Sequence, residues 1–140
     1  MKILLAVDGS DYTGHMLSYI AEHKSTFGTG NDYTVLYAVL PVPHRAAAFV
    51  TPDMVRNYYD DEARIVLDPI RDLLKQHDIE AHFEYKVGNP GNEIARAAEA
   101  GHFDLVVMGS HGHNALKSLV LGSVATKVLA ACNVPVLLVR

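Results

Sequence analysis

The stretch "DLVVMGSHGHNALKSLVLGSVATKVL", residues 104–129, decides the fold. Its opening run, residues 104–108, is short and apolar without polar alternation, as expected of a strand covered on both faces. Its end, from Ser123, sets Val124, Val128 and Leu129 at helical spacing. Between them lie Gly109, Gly112 and Gly122, with Ser110 and Ser123 beside two of them. A buried strand that leaves through a glycine-serine loop and enters a covering helix is a unit of an α/β fold.

Working outward, the same alternation of strand and helix covers the chain. The last helix is predicted over 123–132, burying Val124, Val128, Leu129 and Cys132, and a closing strand over 135–139. Before residue 104, "GNPGNEIARAAEAG" reads as a turn and a helix from 91 to 100. In "EAHFEYKV", residues 80–87, Ala81, Phe83, Tyr85 and Val87 alternate with Glu80, His82, Glu84 and Lys86. One face of that strand is wet, which suits a sheet edge. Residues 53–77 are helical, with Val66, Ile70, Leu73, Leu74 and His77 inward, and Pro69 is expected to kink or split the helix near 65–68. A long connection with three prolines, residues 41–52, precedes it, of the kind that covers a sheet face or lengthens a site's rim. Residues 33–40 and 2–8 make two more buried strands. A helix over 12–26 lies between them, with Met16, Leu17, Ile20 and Ala21 inward and Ser10, Asp11 and Thr13 as cap candidates. Five strands alternating with helices predict a largely parallel sheet with helices on both faces.

With 140 residues, 49% of them hydrophobic and 20% charged, a single globular domain over 1–140 is expected. The formal charge of −4 argues against nucleic acid or an anionic membrane as partner. One cysteine, Cys132, allows no internal disulfide and no thiolate metal cluster, and points to a reducing cytoplasm. No signal-peptide pattern or transmembrane-length apolar run is visible.

The glycine loop has the composition of an anion site. Glycine allows close backbone approach and positive φ, so that several N–H groups face one point. The helix that starts at Ser123 adds free N–H groups and the positive end of its dipole. Ser110 and Ser123 can add hydroxyl donors. A Walker P-loop pattern is absent, and the one G-x-G, at Gly28 and Gly30, precedes a strand and is a turn. His111 and His113 without a third ligand make a poor metal site.

What does fit is Gly109-x2-Gly112-x9-Gly122-Ser123. This G-x2-G-x9-G-[ST] spacing resembles the ATP-binding signature of the universal stress protein family. The likeness extends over nearly the whole chain, through "ILLAVDGS", "LVVMGSHG", "VLGSVATKVL" and "CNVPVLLV". It implies an open five-stranded parallel sheet in the order 3-2-1-4-5, of the adenine nucleotide alpha hydrolase-like type. A crevice then opens between the loops after strands one and four.

The resemblance also implies a site. Ala6, Val7 and Asp8 would lie beside the nucleoside, with Asp8 accepting from ribose or base, and Val39 against adenine. Met108, Gly109, Ser110, His111 and Gly112 would line ribose and phosphates, and Gly122, Ser123 and Val124 would hold the phosphate tail. The cofactors implied are ATP and Mg²⁺, the metal riding on phosphate oxygens. Related proteins often have a basic residue directly after the second glycine and a further glycine beyond it. Here His113 and Ala115 stand there, leaving Lys117 as the loop's fixed cation. Two bland readings stand beside these: the glycines could merely turn the chain, and Asp8 could merely cap the first helix.

The function expected is nucleotide-dependent regulation or stress survival, through a regulatory protein partner that the sequence does not name. No arginine finger, Walker lysine or water-positioning residue is evident, so hydrolysis is expected to be slow at most. An adenylate-handling enzyme on the same fold is the alternative, although the S-G-G-x-D-S loop such enzymes often carry is missing. A phospho-acceptor domain is a poorer match, because strand three ends "KVGN" without an aspartate. Strand five is apolar and falls on a sheet edge in the implied order. Edge pairing through residues 136–139 of a homodimer is therefore expected.

Overall fold

In a computed structural model of the chain, which describes all residues except 117 and 119, the apolar run near the start becomes strand β1 (Lys2–Val7). After it come helices α1 (Asp11–Glu22) and α2 (Lys24–Phe27), strand β2 (Asp32–Val39), and helices α3 (His44–Ala47) and α4 (Pro52–Gln76). The chain continues through β3 (Ala81–Val87), α5 (Pro90–Ala100), β4 (Leu105–Gly109), α6 (Ser123–Ala131) and β5 (Val136–Val139). All strand pairs are parallel and the order is β3-β2-β1-β4-β5. The order implied above is the one observed.

Each central strand sends alternate side chains into one of two cores. Ile3, Leu5 and Val7 of β1 meet Met16 and Ile20 of α1 and Leu67, Ile70 and Leu74 of α4. Leu4 and Ala6 meet Ile94 and Ala98 of α5 and Ala125 and Val128 of α6. Both faces of the sheet are therefore covered, which explains why β1, β2 and β4 show no polar alternation. The edge strand β3 does alternate: Ala81, Phe83 and Tyr85 pack against the α1/α4 core while His82 and Lys86 are exposed.

Three helices, α1, α4 and α5, start one residue earlier than the sequence predicts. Thr51 caps α4 by accepting from the Met54 amide (3.2 Å), and Asn89 caps α5 by accepting from Asn92 (3.2 Å). Pro52 and Pro90 then occupy the first helical position, where a missing N–H costs nothing and the fixed φ suits the helix. Pro69 does not split α4, which is one helix of 25 residues. Burial of Leu67, Ile70 and Leu74 on both sides of the proline offsets the single hydrogen bond it removes. The first predicted helix is instead two, broken at His23. Leu129 is 47% exposed, against the expectation that it faces inward, and Ala125 shares the buried stripe of α6 with Val128. Among the described residues no helix is long and apolar enough to cross a membrane.

Candidate functional site

β1 lies between β2 and β4, and the connections from its two neighbours run to opposite sides. Such a reversal leaves a crevice at the carboxyl ends of the strands. A cavity of about 470 Å³ opens there. It is lined by Ala6, Val7 and Asp8 from the end of β1, Val39 from β2, and Met108 and Gly109 from β4. His111, Gly112, Gly122, Ser123 and Val124 complete the far side. Every site residue named above except Ser110 is on its wall. Lys117 lies outside the described residues.

Ser110 holds the loop from behind. It is buried, its amide donates to the Val139 carbonyl (2.8 Å), and its own carbonyl accepts from the Gly122 amide (2.7 Å). Its hydroxyl is engaged with His111 Nδ1 at 2.9 Å and is not a cavity donor. These bonds tie the start of α6 to the end of β4 across the loop.

The loop glycines are required, for a reason other than left-handed backbone. Positive φ among the glycines occurs at Gly9, Gly30 and Gly88. At the loop positions the missing Cβ matters instead. A Cβ on Gly109 would lie 2.6 Å from Tyr12 Cβ, and one on Gly112 would lie 2.7 Å from Asp8 Oδ2. One on Gly122 would meet His111 Cα and the Ser110 oxygen at 3.0 Å. Gly109 and Gly112 let the loop lie close against the β1–α1 turn, and Gly122 lets the start of α6 lie close against the loop.

Asp8 organises that turn. Its Oδ1 accepts from the Ser10 amide and from the Thr13 hydroxyl, both at 2.9 Å. Thr13 Oγ1 in turn accepts from the Asp8 amide (3.1 Å). Ser10 is the N-cap residue of α1, yet its side chain makes no cap bond, and Thr13 is turned toward Asp8. Gly9 supplies the left-handed residue (φ 76°) that lets the chain reverse. His113 Nε2 donates to the Asp8 carbonyl at 2.7 Å, joining the two loops.

The cavity has three chemically distinct parts. On the α5/α6 side it is apolar, walled by Ala6, Ala38, Ile94, Met108, Val124 and Ala125. At one end, Gly122 caps α6 with no side-chain partner, and no acidic residue occupies the first turn. The first amides of that helix have no intrahelical acceptor, and Ser123 and Val124 line the cavity, an arrangement that favours an anion. On the α4 side, Tyr37, Tyr58 and Glu62 line the wall. Burial, with Glu62, Asp8 and Tyr58 nearby, pushes the Tyr37 hydroxyl above the usual tyrosine range and keeps it a donor. These three residues escaped the sequence reading. Tyr58 and Glu62 are one helical turn apart, a visible signal of a shared polar stripe, but nothing in the sequence says which cavity that stripe meets.

Among the described residues no group of three or more His, Cys, Asp or Glu side chains could hold a metal ion.

Comparison with known proteins gives the same direction. The model of the universal stress protein family matches residues 1–140. The universal stress protein YxiE of Bacillus subtilis is 31% identical over 150 residues, covering 99% of this chain and 98% of its own. The solved structure of MJ0577 from Methanocaldococcus jannaschii is 28% identical, covers 99% of this chain and 94% of its own, and superposes with a TM-score of 0.81. A universal stress protein from Archaeoglobus fulgidus, solved in complex with dAMP, is 22% identical with a TM-score of 0.70, covering 100% and 98% of the two chains. From its first strand to its last, the chain belongs to the universal stress protein family.

Proposed function

We propose that the chain binds ATP in the cavity at the strand ends and acts as a nucleotide-dependent regulatory or stress-survival module in the cytoplasm. The observation that carries this reading is that one cavity joins an apolar slot to the open amino end of α6. A flat base suits the slot between Met108 and Ile94, and phosphates suit the amides at Ser123 and Val124, the first of α6. The dAMP bound by the Archaeoglobus relative supports an adenine nucleotide as the ligand class. Mg²⁺ accompanies the phosphates.

In this reading the chain's own groups hold phosphates without activating water. No lysine or arginine is among the described residues of the wall, so the described part of the site brings no fixed cation to a leaving phosphate. Calorimetry with ATP, ADP and adenosine, with and without Mg²⁺, tests the binding. ATP should bind more tightly than adenosine, and Mg²⁺ should strengthen ATP binding and leave adenosine unchanged. Phosphate release should stay far below the typical enzyme turnover of about 10 s⁻¹. Turnover near that value would place the protein among adenylate-handling enzymes.

A homodimer paired through β5 belongs to the same proposal. The Pro135 and Val139 carbonyls accept from Val106 and Ser110 beside β4. By strand alternation, the N–H and C=O groups of Val136 and Leu138 point to the free edge. Light scattering at micromolar concentration should give a dimer. Leu138→Pro, which removes one outward N–H, should give a folded monomer. A wild-type monomer would remove the dimer from the proposal.

A further inference from the structure

The third part of the cavity, on the α4 side, has no task if only a base and a phosphate tail are considered. Its position relative to the other two assigns it one. The apolar slot and the amino end of α6 both lie on the α5/α6 side of the sheet. The sugar of a bound nucleotide must join them, and so must cross the strand ends at Asp8 and Val39. In a β-nucleoside the base and the 5′ carbon leave one face of the sugar ring, and the 2′ and 3′ oxygens leave the other. With base and tail held on the α5/α6 side, the hydroxyl edge turns toward α4, where Glu62, Tyr37 and Tyr58 line the wall.

We propose that Glu62, acting with Asp8, is a specificity-determining residue that admits adenine nucleotides with free ribose hydroxyls and excludes those bearing a phosphate on the 2′ or 3′ oxygen. The inference rests on the nucleotide reading given above. A carboxylate accepts hydrogen bonds and donates none, so it suits a hydroxyl and repels a phosphate, which brings charge without compensating donors. Asp8 already commits Oδ1 to the Ser10 amide and the Thr13 hydroxyl, while Oδ2 faces Gly112 across the loop contact. Glu62 is partly buried on the wall, and no described lysine or arginine lines the cavity to neutralise an added phosphate. The same chemistry operates where an acidic residue on a ribose selects an unphosphorylated dinucleotide over its 2′-phosphate.

The test is calorimetry on the whole chain and on Glu62→Gln, a near-isosteric change, with AMP, adenosine 2′,5′-bisphosphate and adenosine 3′,5′-bisphosphate. Wild type should bind at least one bisphosphate about thirtyfold more weakly than AMP, the scale of one like-charge contact. In Glu62→Gln that ratio should close to about threefold, while AMP itself weakens slightly through loss of a charged acceptor. The discrimination should also shrink as salt rises. Wild type binding both bisphosphates as tightly as AMP, or an unchanged ratio in Glu62→Gln, would overturn the assignment and leave the nucleotide reading intact. Failure of AMP and ATP alike to bind would defeat both.

Discussion

Replacing Gly122 with valine should cost ATP at least about 3 kcal/mol of binding, roughly a hundredfold or more in affinity. The cause is local and lies in the loop itself. A Cβ at 122 already meets His111 Cα and the Ser110 oxygen at 3.0 Å, and both are backbone atoms that cannot rotate away. The isopropyl group would lever the loop off the start of α6 and stretch the 2.7 Å bond from the Gly122 amide to Ser110. The amides that face the phosphate position would separate. Adenosine, which makes no phosphate contact, should lose much less. Gly122→Ala should fall between, since a shift of a few tenths of an ångström relieves its contacts. Calorimetry with ATP and adenosine on the three proteins checks this, and equal losses for both ligands would show that the loop does not hold phosphate.

Asp8→Ala should lower both stability and nucleotide affinity, each by about 1–3 kcal/mol. The stability loss follows from the two bonds to Oδ1. Without them the Ser10 amide and the buried Thr13 hydroxyl each lose a partner. The affinity loss follows from the place of Asp8 on the cavity wall beside the loop glycines. Asp8→Asn separates the two effects, because its amide oxygen can still accept from Ser10 and Thr13 while the charge is gone. It should melt close to wild type and still bind nucleotide more weakly. If the alanine variant melts early yet binds ATP at full strength, Asp8 serves the turn alone.

The two roles of Asp8 illustrate what the sequence made legible and what it did not. Strand and helix alternation followed from apolar runs and helical spacing, because burial on both faces leaves its mark on every residue of β1, β2 and β4. Sheet order was not in the periodicity; it came with the family likeness. The loop glycines stood out by spacing, but their reason was hidden. Gly109 is needed for Tyr12 and Gly112 for Asp8, contacts nearly a hundred residues or more apart along the chain that only the closed sheet creates. Ser110 read as a ligand donor because it is polar and sits in the loop, whereas its long-range bonds to Val139 and Gly122 turn it inward. Pro69 was expected to kink or split its helix; it does not split it, because local propensity alone omits the packing of α4 against β2 and β3. Tyr58 and Glu62 were missed because only the packing of α4 against β2 and β3 brings them to the site, and Tyr37 because the apolar run of β2 does not show which side chain meets it.

The most direct measurement of the central claim is a crystal structure of the chain grown with ATP and Mg²⁺. The account predicts the adenine between Met108 and Ile94, the ribose over Asp8 with its hydroxyl edge toward Glu62, and the phosphates against the amides of Ser123 and Val124. A nucleotide bound elsewhere, or seated with its phosphates on the α4 side, would contradict it.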